Sequence, residues 1–367
     1  MADIAETWFN SGKPALLHGL KLHPLENPFV KGTPLVSVRG QARALYLKDE
    51  NNNDWILKKF SPAKIPNTAY IKAIQPLIPH WPGLLSGWMR RVFSKSDLMR
   101  GGFYSSEFAT WLENTVLMPR IKCDDWAKLA DNIRTGSVKL TRDERLMLCT
   151  RLSKLIHQLE AADISHRDLS STNVFVDIKA QLVHLIDWDC IFHPSLTMPQ
   201  NTPFGTEGYV ASFVASSGSP DPAVTWRPHA DRFSMAILNS EFLSMEVASV
   251  LTNDGGMFEQ AELFKGGGPG TTRIMNQLQR EFPQAAILLE RALKAQNFDQ
   301  CPSPSEWLSV NNPSVVAAPT AMPTTAKPSP PKPPVAVPAT PQVSAGFVTL
   351  NEAAFVELDH SALVPLL

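Results

Sequence analysis

The apolar pattern of this chain changes period once, near Thr141, and that change limits what it can fold into. Ahead of it the apolar residues come in short runs suited to strands: LVSVRG (35–40), ARALYLKD (42–49) and WILKKF (55–60). DENNND, with three consecutive asparagines, is a turn between the last two runs. A second hairpin is expected from SEFATWLE (106–113) turning at Asn114 into TVLMPRI (115–121). Past Thr141 the spacing becomes helical. Leu146, Cys149, Leu152, Leu155, Ile156 and Leu159 fall on one face, with Thr141 as N-cap and Glu144 three residues on. Two short strands follow, NVFVD (173–177) and LVHLID (182–187), and then helical stretches from Asp231 onward. Strands first and helices after, with a polar loop where they meet, predict an α+β fold with a ligand cleft at the junction.

Composition sets the outer bounds. Of 367 residues 44% are hydrophobic, so a sizeable core can be buried, and 19% are charged with a net charge of -1. That near balance predicts no nucleic-acid partner and no membrane partner. The amino terminus lacks a basic flank followed by an apolar run. Four cysteines lie far apart, which suits a reducing, cytoplasmic setting. From residue 311 to about 345 the chain is rich in Pro, Ala and Thr and reads as an extended linker. Within it PSPPKPP (328–334) serves as a spacer or as a ligand for a proline-reading module. Residues 346–367 turn apolar again and suit a docking or regulatory segment.

The chemistry concentrates in one stretch. Asp168 lies in His166-Arg167-Asp168, Asn173 follows five residues later, and Asp187 closes the apolar strand LVHLI. Phosphoryl transfer from a nucleotide needs a carboxylate beside the attacking hydroxyl, oxygen ligands for magnesium and a cation on the phosphates. HRDLSSTNVFVD here resembles the catalytic loop of the eukaryotic-type protein kinase family, and LIDWD resembles its Asp-Phe-Gly strand end. GTEGYVAS (205–212) resembles the substrate-receiving loop of that family. HADRFSMAILNSEFL resembles its long buried helix, whose Asp231 ties down the catalytic loop. The resemblance covers roughly residues 30–310 and lies nearest the bacterial branch, which is sometimes encoded with a phosphatase partner.

That resemblance implies a two-lobed protein-kinase-like fold: a small antiparallel β lobe (30–120) and a larger helical catalytic lobe (121–310), preceded by an N-terminal extension (1–29). It implies ATP and Mg2+ as cofactors and a protein substrate phosphorylated on Ser or Thr. Asp168 would orient or deprotonate the hydroxyl, Asn173 and Asp187 would hold magnesium, and Arg167 would receive a phosphate. Lys58 would hold the nucleotide phosphates, with Lys59 the adjacent alternative and Phe60 favouring Lys58. Gly40 would cover the phosphates, and Ile56 and Met118 would line the adenine site. Two other readings stand beside it: a small-molecule phosphotransferase of the aminoglycoside or choline kinase type, which shares Ile186-Asp187-Trp188, and a pseudokinase scaffold.

The chain departs from the family pattern in four places. Only Gly40 remains of the usual three glycines. No acidic residue lies between Asp54 and Asp97, so the lysine's usual helix glutamate is missing, with Gln75 near its place and Asp97 or Glu107 as substitutes. Asp189 stands where the Asp-Phe-Gly motif has Gly, and reads as facing water, with metal binding the alternative. Both ends of a buried family ion pair are replaced together, by Phe213 and Cys301, which predicts that these two lie near one another.

Overall fold

The structure, a computed structural model, describes residues 4–17, 19–39, 42–60, 68–74, 91–93, 98–99, 101–113, 115–199, 205–214, 222–244 and 257–311. It is α+β. The first sheet holds β1 (Ala15–Leu17), β2 (Leu20–Pro24), β3 (Val36–Arg39), β4 (Ala42–Asp49), β5 (Asp54–Phe60), β6 (Arg91–Phe93), β7 (Leu98–Met99) and β8 (Thr115–Pro119). Their order is β6-β8-β5-β4-β2-β1-β7, antiparallel throughout, with β3 also paired to β4. The β4–β5 turn shows what the asparagines do. Asp49 accepts the backbone N–H groups of Asn51 (2.9 Å) and Asn53 (2.8 Å) and the Trp55 indole N–H (3.0 Å). Asn52 between them takes the left-handed conformation that asparagine tolerates.

Two expectations change here. The stretch 1–29 is no mere extension: α1 (Ile4–Ser11), β1 and β2 lie within it, and both strands belong to the sheet. SEFATW is helix α3 (Ser106–Trp111), not a strand, because the Ser105 hydroxyl caps the Phe108 N–H at 3.0 Å. Phe108, Ala109 and Leu112 are then buried on one side, a helical spacing.

The remaining elements are α2 (Thr68–Ile74), β9 (Asp124–Asp125), α4 (Trp126–Arg134), α5 (Arg142–Ala161), β10 (Val174–Asp177), β11 (Leu182–Leu185), α6 (Pro222–Thr225), α7 (Arg232–Leu243), α8 (Gln260–Phe264), α9 (Pro269–Glu281), α10 (Pro283–Lys294) and α11 (Pro304–Leu308). β9, β10 and β11 form a second, three-stranded sheet. Helix α5 starts as its sequence requires. Thr141 Oγ1 accepts from Glu144 N (3.2 Å), and the Glu144 carboxylate accepts from Thr141 N (2.7 Å). Its buried face carries Leu146, Cys149, Leu152, Ile156 and Leu159 and packs on α7 and α11.

Strand alternation divides the core. Ile56 and Phe60 of β5, with Val116 and Met118 of β8, join the cluster that runs through the helices. Leu57 and Leu117 face the other way, into a smaller cluster with Trp8, Leu45, Leu47 and Phe108. Residues 312–367, including the proline run at 328–334 and the terminal segment, lie outside the described residues, as do Gly40, Gln75 and Asp97.

Candidate functional site

The loop after α5 is built around one carboxylate beneath it. Asp231 accepts the backbone N–H of His166 (2.6 Å) and of Arg167 (2.7 Å). Those two bonds hold Arg167 at φ 70°, a left-handed conformation costing roughly 1–3 kcal/mol for such a residue. The His166 ring is wedged into the same frame. Its Nδ1 accepts from Asp168 N (3.3 Å), so Nε2 carries the proton and donates to Ile186 O (2.7 Å). The ring meets Trp188 edge-on, centroids 4.8 Å apart. His166 is therefore a brace between the loop and the residues that follow β11.

Asp168 is presented from this frame. Thr206 Oγ1 donates to its Oδ1 at 2.6 Å. Asn173 Nδ2 donates to the Asp168 carbonyl at 2.8 Å and to Oδ2 at 3.2 Å. With its nitrogen so engaged, the Asn173 amide oxygen is the end available to a cation. Asp187 is adjacent, because Ile186 N bonds Asn173 O at 3.1 Å. Asp187 also has positive φ, 62°, so left-handed residues mark both Arg167 and Asp187.

Lys58 reaches across from the sheet. Its ammonium lies 2.9 Å from Asp187 Oδ1 and 3.9 Å from Asp189 Oδ2, and 4.9 Å from the Phe60 ring centroid. Burial works against its charge, but Asp189 and Asp187 outweigh burial and raise its pKa. Lys59, one residue on, faces the opposite side and donates to the carbonyls of Trp111 and Glu113 at the end of α3. The alternation thus decides between the two lysines.

Three expectations are corrected. Asp189 does not face water: its side chain is only 15% exposed, and burial raises its pKa against the pull of Lys58. Glu107 is not the partner of Lys58; it is exposed at the start of α3, where its own backbone N–H and the Ser105 and Ser106 hydroxyls lower its pKa. Arg167 is not open to a phosphate. It is buried, donating to Thr225 O (2.9 Å), Thr225 Oγ1 (2.6 Å) and Cys190 O (2.7 Å), with Trp226 4.9 Å from its guanidinium. It ties the loop to α6. Ile56 and Met118 are directly paired across β5 and β8, and Met118 is buried.

Sequence reasoning missed two contacts. Tyr70 of α2 donates its hydroxyl to Ile191 O, anchoring that helix beside the loop. Glu241 is wholly buried and accepts from Trp126 Nε1 (2.9 Å), Tyr209 OH (3.1 Å) and Met257 N (2.9 Å). A glutamate inside the apolar run of α7 was the available signal. Phe213 lies where expected: its ring meets Phe298 edge-on at 4.9 Å, and Phe298 O accepts the N–H of buried Cys301.

The donor set fits a hard divalent cation only when a ligand completes it. Among the described residues no group of three His, Cys, Asp or Glu could hold a metal alone. Asp187 and the Asn173 oxygen supply two oxygens, as magnesium takes when phosphates supply others. No helix among the described residues is long and apolar enough to cross a membrane. No model of a known protein family matches this chain, and no curated protein matches it significantly.

Proposed function

We propose that this chain is a protein-kinase-like phosphotransferase that moves the γ-phosphoryl group of ATP to Ser or Thr hydroxyls, with its sheet and helical parts as two lobes. One observation carries the reading: Asp168, braced by Asn173, already receives a threonine hydroxyl, that of Thr206, at 2.6 Å. A substrate hydroxyl would donate to the same carboxylate. As its oxygen bonds the γ-phosphorus, its proton passes to Asp168, and the bond to the β-phosphate oxygen breaks, leaving ADP with the electron pair. Lys58 keeps its proton and offsets phosphate charge. Magnesium, held by Asn173 and Asp187, would supply further charge neutralisation on the phosphates. His166 and Asp231 keep the loop in the geometry that aims Asp168.

A second reading, a small-molecule phosphotransferase, draws on Ile186-Asp187-Trp188. One experiment separates them. Purified protein is incubated with labelled ATP and magnesium beside Asp168→Asn, and label is sought on the protein itself, on a generic protein and on small alcohols. Labelling of protein that Asp168→Asn abolishes supports the kinase reading. Label on alcohols alone supports the second. Negligible labelling in both preparations refutes transfer and leaves a nucleotide-binding scaffold.

A further inference from the structure

We infer that Asp189 is a positioning residue whose carboxylate keeps the Lys58 ammonium in place when Asp187 turns to a cation. The inference rests on the phosphotransferase reading above. Lys58 sits against two carboxylates carried on one turn, Asp187 at 2.9 Å and Asp189 at 3.9 Å. The two differ in access. The Asp187 side chain is 32% exposed and that of Asp189 15%, so an incoming metal–nucleotide meets Asp187 first. A divalent ion on Asp187 withdraws that charge from Lys58 and repels the ammonium at short range. A buried ammonium left without a counter-charge is strongly disfavoured. Asp189 is the carboxylate of the chain that remains to hold it where it meets the phosphates.

Two observations make this arrangement specific. The ion pairs of Lys58 among the described residues are those with Asp187 and Asp189. The turn that carries Asp189 is fixed from below, since Trp188 is fully buried, donates to Leu185 O at 3.0 Å and packs on His166. Asp189 therefore locates a lysine of the sheet relative to the loop that presents Asp168.

Binding of a fluorescent ATP analogue to the full chain, with magnesium and with EDTA, tests this for wild type, Asp189→Asn, Lys58→Met and the double variant. With magnesium, Asp189→Asn is expected to weaken binding about 10-fold and to add nothing in the Lys58→Met background, as coupled neighbours do. With EDTA, where Asp187 still holds the lysine, the loss stays within about 2-fold. In turnover the change falls on KM for ATP more than on kcat, and Asp189→Glu restores most of it. The magnesium concentration for half-saturation stays unchanged. An effect that persists in the Lys58→Met background overturns the inference. So does a raised magnesium requirement, which would make Asp189 a metal ligand. Wild type that binds and Asp189→Asn that matches it removes Asp189 alone. Wild type that binds no nucleotide under either condition removes the phosphotransferase reading and this inference with it.

Discussion

The loop that carries Asp168 and the layer beneath it use acids for different ends. Asp168, Asp187 and Asp189 lie where α5, β11 and the sheet meet, and the partners that reach them from elsewhere in the chain are side chains: a threonine, an asparagine and a lysine. Asp231 and Glu241, just before and within α7, are buried, and backbone N–H groups, an indole and a phenol serve them. A side-chain partner can rotate away and yield its place to substrate or metal. A backbone partner cannot do so without unfolding the loop. Asp231 and Glu241 each accept at least one N–H from a distant stretch of backbone, His166 and Arg167 for the first and Met257 for the second, and that tie marks them as scaffold.

Exchanging the two kinds of acid puts that distinction at risk. Asp168→Asn should lower phosphoryl transfer about 1,000-fold, the scale of a lost general base. Its unfolding free energy should move by less than about 1 kcal/mol, since Asp168 is only half-buried, the Asn oxygen keeps the bond from Asn173, and the Thr206 hydroxyl can turn to accept from the new amide nitrogen. Asp231→Ala should do the reverse, costing about 3 kcal/mol in denaturant unfolding because two buried N–H groups lose their acceptor. Activity lost in Asp231→Ala should return only in part when the folded fraction is restored at low temperature, because the loop that aims Asp168 has lost its tie. If Asp168→Asn unfolds the protein as readily as Asp231→Ala does, the division fails.

Glu241 sharpens the same contrast through pH. Burial pushes its carboxyl from an ordinary 4.5 up to about 7, against the N–H of Met257, the indole of Trp126 and the hydroxyl of Tyr209. At low pH both folded and unfolded chains hold the proton, and nothing is lost. Between about 4.5 and about 7 the unfolded chain releases it while the folded chain retains it. Stability contributed by this group therefore falls as pH rises through that window, by roughly 3 kcal/mol in total. Glu241→Gln should flatten that slope. It should also cost about 1–3 kcal/mol at pH 5, because an amide nitrogen cannot accept the bond that one carboxylate oxygen now takes. Unfolding midpoints at several pH values for both proteins check the slope. An unchanged slope would assign it to another group.

The sequence carried the scaffold of this site better than its contacts. Thr141 with Glu144 and the alternation of Ile56, Lys58 and Phe60 are rules of local geometry, and each is met; the tie from Asp231 to the loop is expected only from the resemblance, and it too is formed. What escaped depends on which chain segments meet. Ser105 turned an apparently strand-like run into α3 by capping it, and a single hydroxyl outweighed the pattern. Asp189 looked solvated because nothing in LIDWD says that Lys58 arrives from a distant strand. Arg167 looked free because its seat, Thr225 and Trp226, lies far along the chain. The short strands β1 and β2 carry too few apolar residues to announce themselves before β4 and β7 pair with them.

The smallest effect is expected where the deep layer uses no acid at all. Phe213 and Phe298 meet edge-on at 4.9 Å, with buried Cys301 three residues past Phe298. The protein-kinase resemblance expects a carboxylate at the position of Phe213 and an arginine at that of Cys301. An ion pair here would need both partners and every lone pair satisfied, whereas two rings need only shape. The two facing rings therefore form a joint that no charge can strain. Phe213→Leu and Phe298→Leu, alone and combined, should reveal a coupling of about 1 kcal/mol in unfolding free energy, the usual worth of an edge-to-face pair beyond its buried area. That coupling should stay constant between pH 5 and pH 8, unlike the contribution of Glu241, because neither ring titrates. A coupling near zero would mean that the rings merely fill space. A coupling that varies with pH would mean that a charged group still works through this contact, and the contrast between acid-built and ring-built anchors would have to be redrawn.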